Sequence, residues 1–259
     1  GNVTLSSEIP AGKPAAEKSA EDGTGESQPL YMSLNHVMEY YIFAYYFQPA
    51  TEVRCTDIPY GEYYRTYGQL ALSMQKYNGA KKAYERAIAW NPVDLDAYLG
   101  LAEVYKYQNQ REKYLTVTKQ AYRYCCTRAT MARYYRNMAF YYLSGYEPET
   151  ARACYQYSNV YYHTENADSE LKYISEAIQQ ETPQTDIRAI QKLFDEKQIE
   201  PGPDSQTIGI VYKVGEILLK DGDYKLAKDC YSIVYDITQD AAAEKMLNEL
   251  EAAISGSEE

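Results

Sequence analysis

One helical hairpin recurs through this chain at a near-constant stride, and that recurrence restricts the fold more than any other feature. Gly61 to Asp94 reads GEYYRTYGQLALSMQKYNGAKKAYERAIAWNPVD, two helical patterns at roughly 61–74 and 78–90 joined by the polar turn Lys76–Gly79. Tyr64, Tyr67, Gly68 and Ala71 fall at i, i+3, i+4 and i+7 on one face of the first pattern. Ala80, Tyr84 and Ala87 do the same on the second, and Asn91-Pro92 ends it, because proline cannot extend the hydrogen-bond ladder. Small residues at Gly68 and Ala80 let the two axes approach while tyrosines fill the space beside them. The pattern returns at Tyr98, Leu101, Ala102 and Tyr105, with Ala121 lying 34 residues after Ala87. It returns after a short insertion at Tyr135, Met138, Ala139 and Tyr142, followed by Ala151 and Tyr155. A late copy from Ile208 places Gly215 and Ala227 twelve residues apart, as Gly68 and Ala80 are, with Tyr231 four further on. Hairpins repeated in this way bury their apolar faces against their neighbours. Strands are not expected.

The alternation of small and aromatic residues, the hairpin length and the terminal proline closely resemble the tetratricopeptide repeat. The resemblance implies an all-α, right-handed α-solenoid of helical hairpins with N- and C-terminal capping helices. It also implies a partner-binding concave face lined by the first helix of each hairpin. The second copy departs from the family pattern: Tyr114 stands where a small residue belongs and Thr118 where an aromatic belongs, so the two exchange volume across the interface. The organisation read from the chain is a disordered tail at 1–28, an N-terminal helix and connector at 29–60, and three repeats at 61–165. A degenerate hairpin at 166–203, a further repeat at 204–241 and a C-terminal capping helix and tail at 242–259 follow. The degenerate hairpin, with Ile174, Ile178, Ile187, Ile190 and Phe194, lacks the small residues, and Pro201-Gly202-Pro203 breaks the chain after it. Upstream, Leu30, Leu34, Val37, Tyr41 and Ala44 or Tyr45 make a helical stripe ending at Pro49. Its aromatic load predicts a buried cap, or alternatively a contact through which two copies form a homodimer.

Composition narrows the function. Lys and Arg number 26 against 37 Asp and Glu, a net charge of −11. By count, residues 1–59 carry 3 basic and 8 acidic groups, residues 60–165 carry 14 and 9, and residues 166–259 carry 9 and 20. The acidic whole argues against nucleic-acid binding, while the basic middle suits a partner with an acidic group. Five cysteines without a CxxC pair, and only two histidines, give no disulfide framework or zinc site. No cofactor is expected, and no catalytic motif is present: there is no phosphate loop, no HExxH and no nucleophile–base pair. No apolar run is long enough to span a bilayer. Gly1 in place of Met and the tether-like tail point to a piece of a longer chain. The location expected is therefore cytoplasmic, or a soluble domain of a tethered or exported protein whose anchor lies elsewhere.

The 31 tyrosines are the compositional anomaly. Tyr64, Tyr84, Tyr98, Tyr105, Tyr135, Tyr142, Tyr155 and Tyr231 sit where the repeat needs bulk, so most are read as scaffold, with ligand or glycan stacking on exposed rings as the other reading. Removing packing residues from each first helix leaves the candidate groove: Arg65 and Gln69; Glu103, Lys106 and Tyr107; and Arg133, Arg136, Asn137 and Phe140. Arg133, Arg136 and Asn137 lie within about one turn of each other, a grouping able to hold a carboxylate by forked, charge-assisted hydrogen bonds. In some members of the family, groove basic and Asn residues grip the carboxylate of a chaperone tail. Leu99 and Gly100 stand here where such proteins place polar contacts. The sequence therefore points to a protein- or peptide-binding scaffold rather than an enzyme.

Overall fold

A computed structural model describes residues 29–255; the expected disordered tail at 1–28 lies outside the described residues. The chain is all-α, made of helical hairpins, and it divides into two compact units, Gly1–Ala97 and Tyr98–Glu259.

The first unit contains β1 (Leu30–Met32), α1 (Val37–Phe47), β2 (Val53–Cys55), α2 (Tyr60–Ser73), α3 (Tyr77–Trp90) and the first turn of α4 (Leu95–Tyr107). The helix read from Leu30 begins only at Val37. Leu30–Met32 instead pairs in parallel with Val53–Cys55, Leu30 opposite Val53 and Met32 opposite Cys55. The backbone N–H of Asn35 donates to Glu39 at 2.6 Å, which satisfies an amide where a longer helix would have continued its ladder. The same Glu39 carboxylate accepts from Asn91 Nδ2 at 2.7 Å. Burial is the main cause that pushes the Glu39 carboxyl above its ordinary value, although bonds from Asn35 and Asn91 oppose it. Of the aromatic helix, Ile42 and Phe43 are buried, whereas Tyr40, Tyr45 and Phe47 remain exposed.

α2 and α3 form the first hairpin. An added Cβ at Gly68 would sit 3.0 Å from the Tyr84 ring, and one at Gly215 would sit 3.0 Å from the Tyr231 ring. Ala80 and Ala227 are fully buried beside them. The small residues therefore make room for a ring of the opposite helix, and the first and last repeats share this device. Gly68→Leu is expected to destabilise by about 1–3 kcal/mol through overpacking. Gly209→Ala, on an exposed helical position with nothing within 4 Å, is expected to stabilise by roughly 0.5–1 kcal/mol. Urea denaturation of the two variants beside the parent chain checks both signs.

The second unit holds the rest of α4, α5 (Arg111–Tyr122), α6 (Arg128–Ser144), α7 (Pro148–Tyr161), α8 (Glu165–Ile178), α9 (Ile187–Lys197), α10 (Ser205–Lys220), α11 (Tyr224–Thr238) and α12 (Ala241–Ser255). Thr127, Thr164, Asp186, Asp204 and Asp223 cap their helices through side-chain oxygens, as short polar residues at these positions should. Tyr135, Met138, Ala139, Cys154 and Phe194 have no exposed surface at the centre of this unit. The Tyr135 ring lies 4.9 Å from that of Tyr157 and 5.6 Å from Phe194. Hydroxyls of Tyr122 and Tyr135 donate to the carbonyls of Gly202 (2.9 Å) and Glu200 (2.8 Å), and that of Tyr157 to Pro201. Three rings, those of Tyr135 and Tyr157 buried and that of Tyr122 half-buried, thus satisfy backbone carbonyls of residues 200–202, which lead into α10. Seven of the eight tyrosines assigned to packing are buried, and Tyr64 is half-buried. Tyr114 and Thr118 are both buried, and the Tyr114 hydroxyl reaches across to the Asn137 carbonyl at 3.2 Å.

Candidate functional site

Six of the nine groove residues read from the sequence converge on one cavity of about 220 Å³ in the second unit. α4 contributes Glu103 and Lys106, one turn apart. α6 contributes Arg133, Arg136, Asn137 and Phe140, at the i, i+3, i+4 and i+7 spacing that keeps side chains on one helix face. The packing tyrosines on the opposite side of α6 anchor the helix in the core, so these four point the other way. Tyr114 of α5 and Tyr155 of α7 form the floor.

The third wall was not anticipated. α8 supplies Asn166, Ala167 and Glu170. The hairpin it begins has lost the small-residue signature, which hid its equivalence to the earlier first helices. Its own non-packing positions would have extended the same face.

The electrostatics are mixed. Lys106, Arg133 and Arg136 face Glu103 and Glu170 around the cavity. Lys106 lies 3.7 Å from Glu103 and 4.6 Å above the Phe140 ring centroid, an arrangement that satisfies its ammonium. The α6 donors differ. Arg136 Nη1 and Asn137 Nδ2 are buried with no hydrogen-bond partner among the described residues, and Asn137 is only 7% exposed. Burial, and then the neighbouring Arg133 charge, hold the Arg136 guanidinium below its ordinary pKa. Burial, and then Glu170, push the Tyr155 hydroxyl up, so it stays neutral there. The arrangement offers an anionic group two unsatisfied donors and a second guanidinium.

The other three candidates lie elsewhere. Arg65 Nη1 bonds both oxygens of Asp94, at 3.0 and 3.1 Å, and bridges the first unit internally. Gln69 is exposed on α2, and Tyr107 is exposed at the end of α4, outside the cavity. Among the described residues no group of three His, Cys, Asp or Glu is placed to hold a metal ion, and no helix is long and apolar enough to cross a membrane.

Residues 61–94 match the family model described as "Tetratricopeptide repeat". The chain is similar in structure to the crystal structure of the APC/C hetero-tetramer Cut9–Hcn1, with a TM-score of 0.42 and 13% identity over 74% of this chain and 36% of that one. It thus spans about a third of that structure's length. It is also similar to YrrB, described as a TPR protein with an unusual peptide-binding site, with a TM-score of 0.39 and 15% identity over 75% of this chain and 92% of that one. No curated protein matches the chain.

Proposed function

We propose that this tetratricopeptide-repeat chain is a non-enzymatic scaffold that binds a protein or peptide partner. In this reading, the cavity between α4, α6 and α8 receives an acidic group of that partner. The observation that carries the reading is the pair of buried donors without acceptors, Arg136 Nη1 and Asn137 Nδ2, on the wall of a solvent-reachable cavity. Leaving a buried donor unsatisfied costs roughly 1–3 kcal/mol, and a carboxylate or phosphate entering here would relieve both. Charge-assisted bonds to a guanidinium are about twice as strong as neutral ones. At about 220 Å³ the cavity admits one side chain or a chain terminus rather than a whole small-molecule ligand. The cavity is thus an anchor point, and the remainder of the partner lies on the exposed helix surface around it. Replacing Lys106, Arg133 and Arg136 together by alanine is expected to reduce capture of the partner at least about tenfold, as truncating interfacial charges does. Unchanged capture by the triple variant would remove this assignment.

A further inference from the structure

We propose a second docking site, on the outer face of α2 beside α3, for an amphipathic helix of a partner protein whose apolar stripe is flanked by carboxylates. It stands independently of the cavity between α4, α6 and α8. Tyr63, Tyr67, Leu70 and Met74 follow one another at steps of four, three and four residues along α2. They are 60%, 45%, 58% and 54% exposed. This is the spacing by which one helix meets another, and such a contiguous apolar stripe marks an interaction surface rather than scattered exposure. Between this stripe and α3 lies a cleft of about 340 Å³, lined by Tyr60, Tyr63, Tyr64, Tyr67 and Ala83 and rimmed by Lys82 and Arg86.

The repeats themselves show what covers such a face. Moving 34 residues along from Tyr63, Tyr67 and Leu70 reaches Ala97, Leu101 and Val104, all of them buried. Aligning Gly68 and Ala80 on Ala139 and Ala151 places Tyr63 on Tyr134 and Tyr67 on Met138, again both buried. There the covering element is a helix, α5, whose Tyr122 ring lies 5.1 Å from that of Tyr134. The same face of the first hairpin has kept its apolar residues and its helical spacing, so a helix is the shape it fits.

The charge of the occupant follows from the second row of residues. Where α7 buries Ala153 and Tyr157, α3 presents Lys82 and Arg86 at the equivalent positions. Both are exposed at the rim of the cleft, and neither forms an ion pair among the described residues. Two adjacent cations beside an apolar stripe select carboxylates on the flank of the incoming helix and disfavour lysines there.

The test uses two synthetic 18-residue helical peptides that share a leucine stripe and differ only in flanking Glu or Lys. Each is titrated against the whole chain by fluorescence anisotropy. The Glu-flanked peptide is expected to bind at least tenfold more tightly than the Lys-flanked one. Lys82→Glu with Arg86→Glu should reverse that preference, and Tyr63→Asp with Leu70→Asp should abolish binding of both while circular dichroism stays unchanged. Lys106→Ala with Arg133→Ala and Arg136→Ala should leave peptide binding intact, which separates this site from the cavity. Equal affinity for the two peptides, or no binding of either, overturns the proposal. So does sedimentation showing that the chain pairs with itself through Tyr63 and Leu70, which would make a second copy the occupant.

Discussion

Tyr135→Ala is expected to destabilise the second unit by about 3–5 kcal/mol, the range for removing a large buried ring. Its side chain has no exposed surface, and its ring meets those of Tyr134, Tyr157, Tyr161 and Phe194 at centroid separations of 4.9–5.6 Å. Those rings come from α6, α7 and α9, so one deletion loosens three helices. Burial pushes the phenol far above its ordinary pKa, so it stays protonated as the donor to the Glu200 carbonyl. Tyr135→Phe isolates that bond: it keeps the ring and leaves the carbonyl without its donor, for an expected loss of about 1–3 kcal/mol. Urea denaturation of the two variants gives both numbers. A Phe variant as unstable as the Ala variant would locate the whole effect in the hydroxyl and deny the ring cluster its role. An Ala variant within 1 kcal/mol of the parent would deny both.

The same residue shows why the helices are legible in the sequence. Tyr135, Met138, Ala139 and Tyr142 mark a helix face by spacing alone, and the alternation of ring and small residue identifies the hairpin partner. What spacing cannot supply is a partner far away in sequence. Leu30 and Leu34 continue the period of α1, yet β1 forms because a second short segment, Val53–Cys55, lies beside it. A three-residue strand has too few positions to show an alternation of its own. Arg65 was read into the groove by the same local logic, and Asp94, 29 residues on, holds it within the first unit. The cavity was visible on α4 and α6 because non-packing positions of a first helix share one direction. Its α8 wall was hidden because Asn166 and Glu170 belong to a hairpin without glycine or alanine at the diagnostic positions.

Arg136→Met is expected to raise the stability of the free chain and, where the cavity receives a partner's acidic group as proposed, to weaken capture of that partner at least about tenfold. The two effects have one cause. A guanidinium nitrogen is buried without an acceptor, beside the like charge of Arg133, and its depressed pKa reflects that unfavourable setting. Methionine keeps the unbranched apolar stem, which in arginine does the packing, and removes the charge. Replacing a poorly compensated buried charge by an apolar residue of similar shape is neutral or stabilising by about 1–4 kcal/mol. In the complex, an incoming carboxylate would supply the missing acceptor, so the same substitution removes a favourable contact there. A residue that costs stability in the free state and contributes in the bound state is the signature of a binding group, since functional positions commonly oppose the stability of the fold that carries them. Thermal denaturation and partner capture on one preparation read both signs. If Arg136→Met lowers the melting temperature, the guanidinium supports the fold, and the unsatisfied donors lose their meaning as a vacancy for a partner's acid. If stability rises and capture is unchanged, Arg136 lies outside the interface, and the proposal that this cavity receives a partner's acidic group loses the observation that carries it.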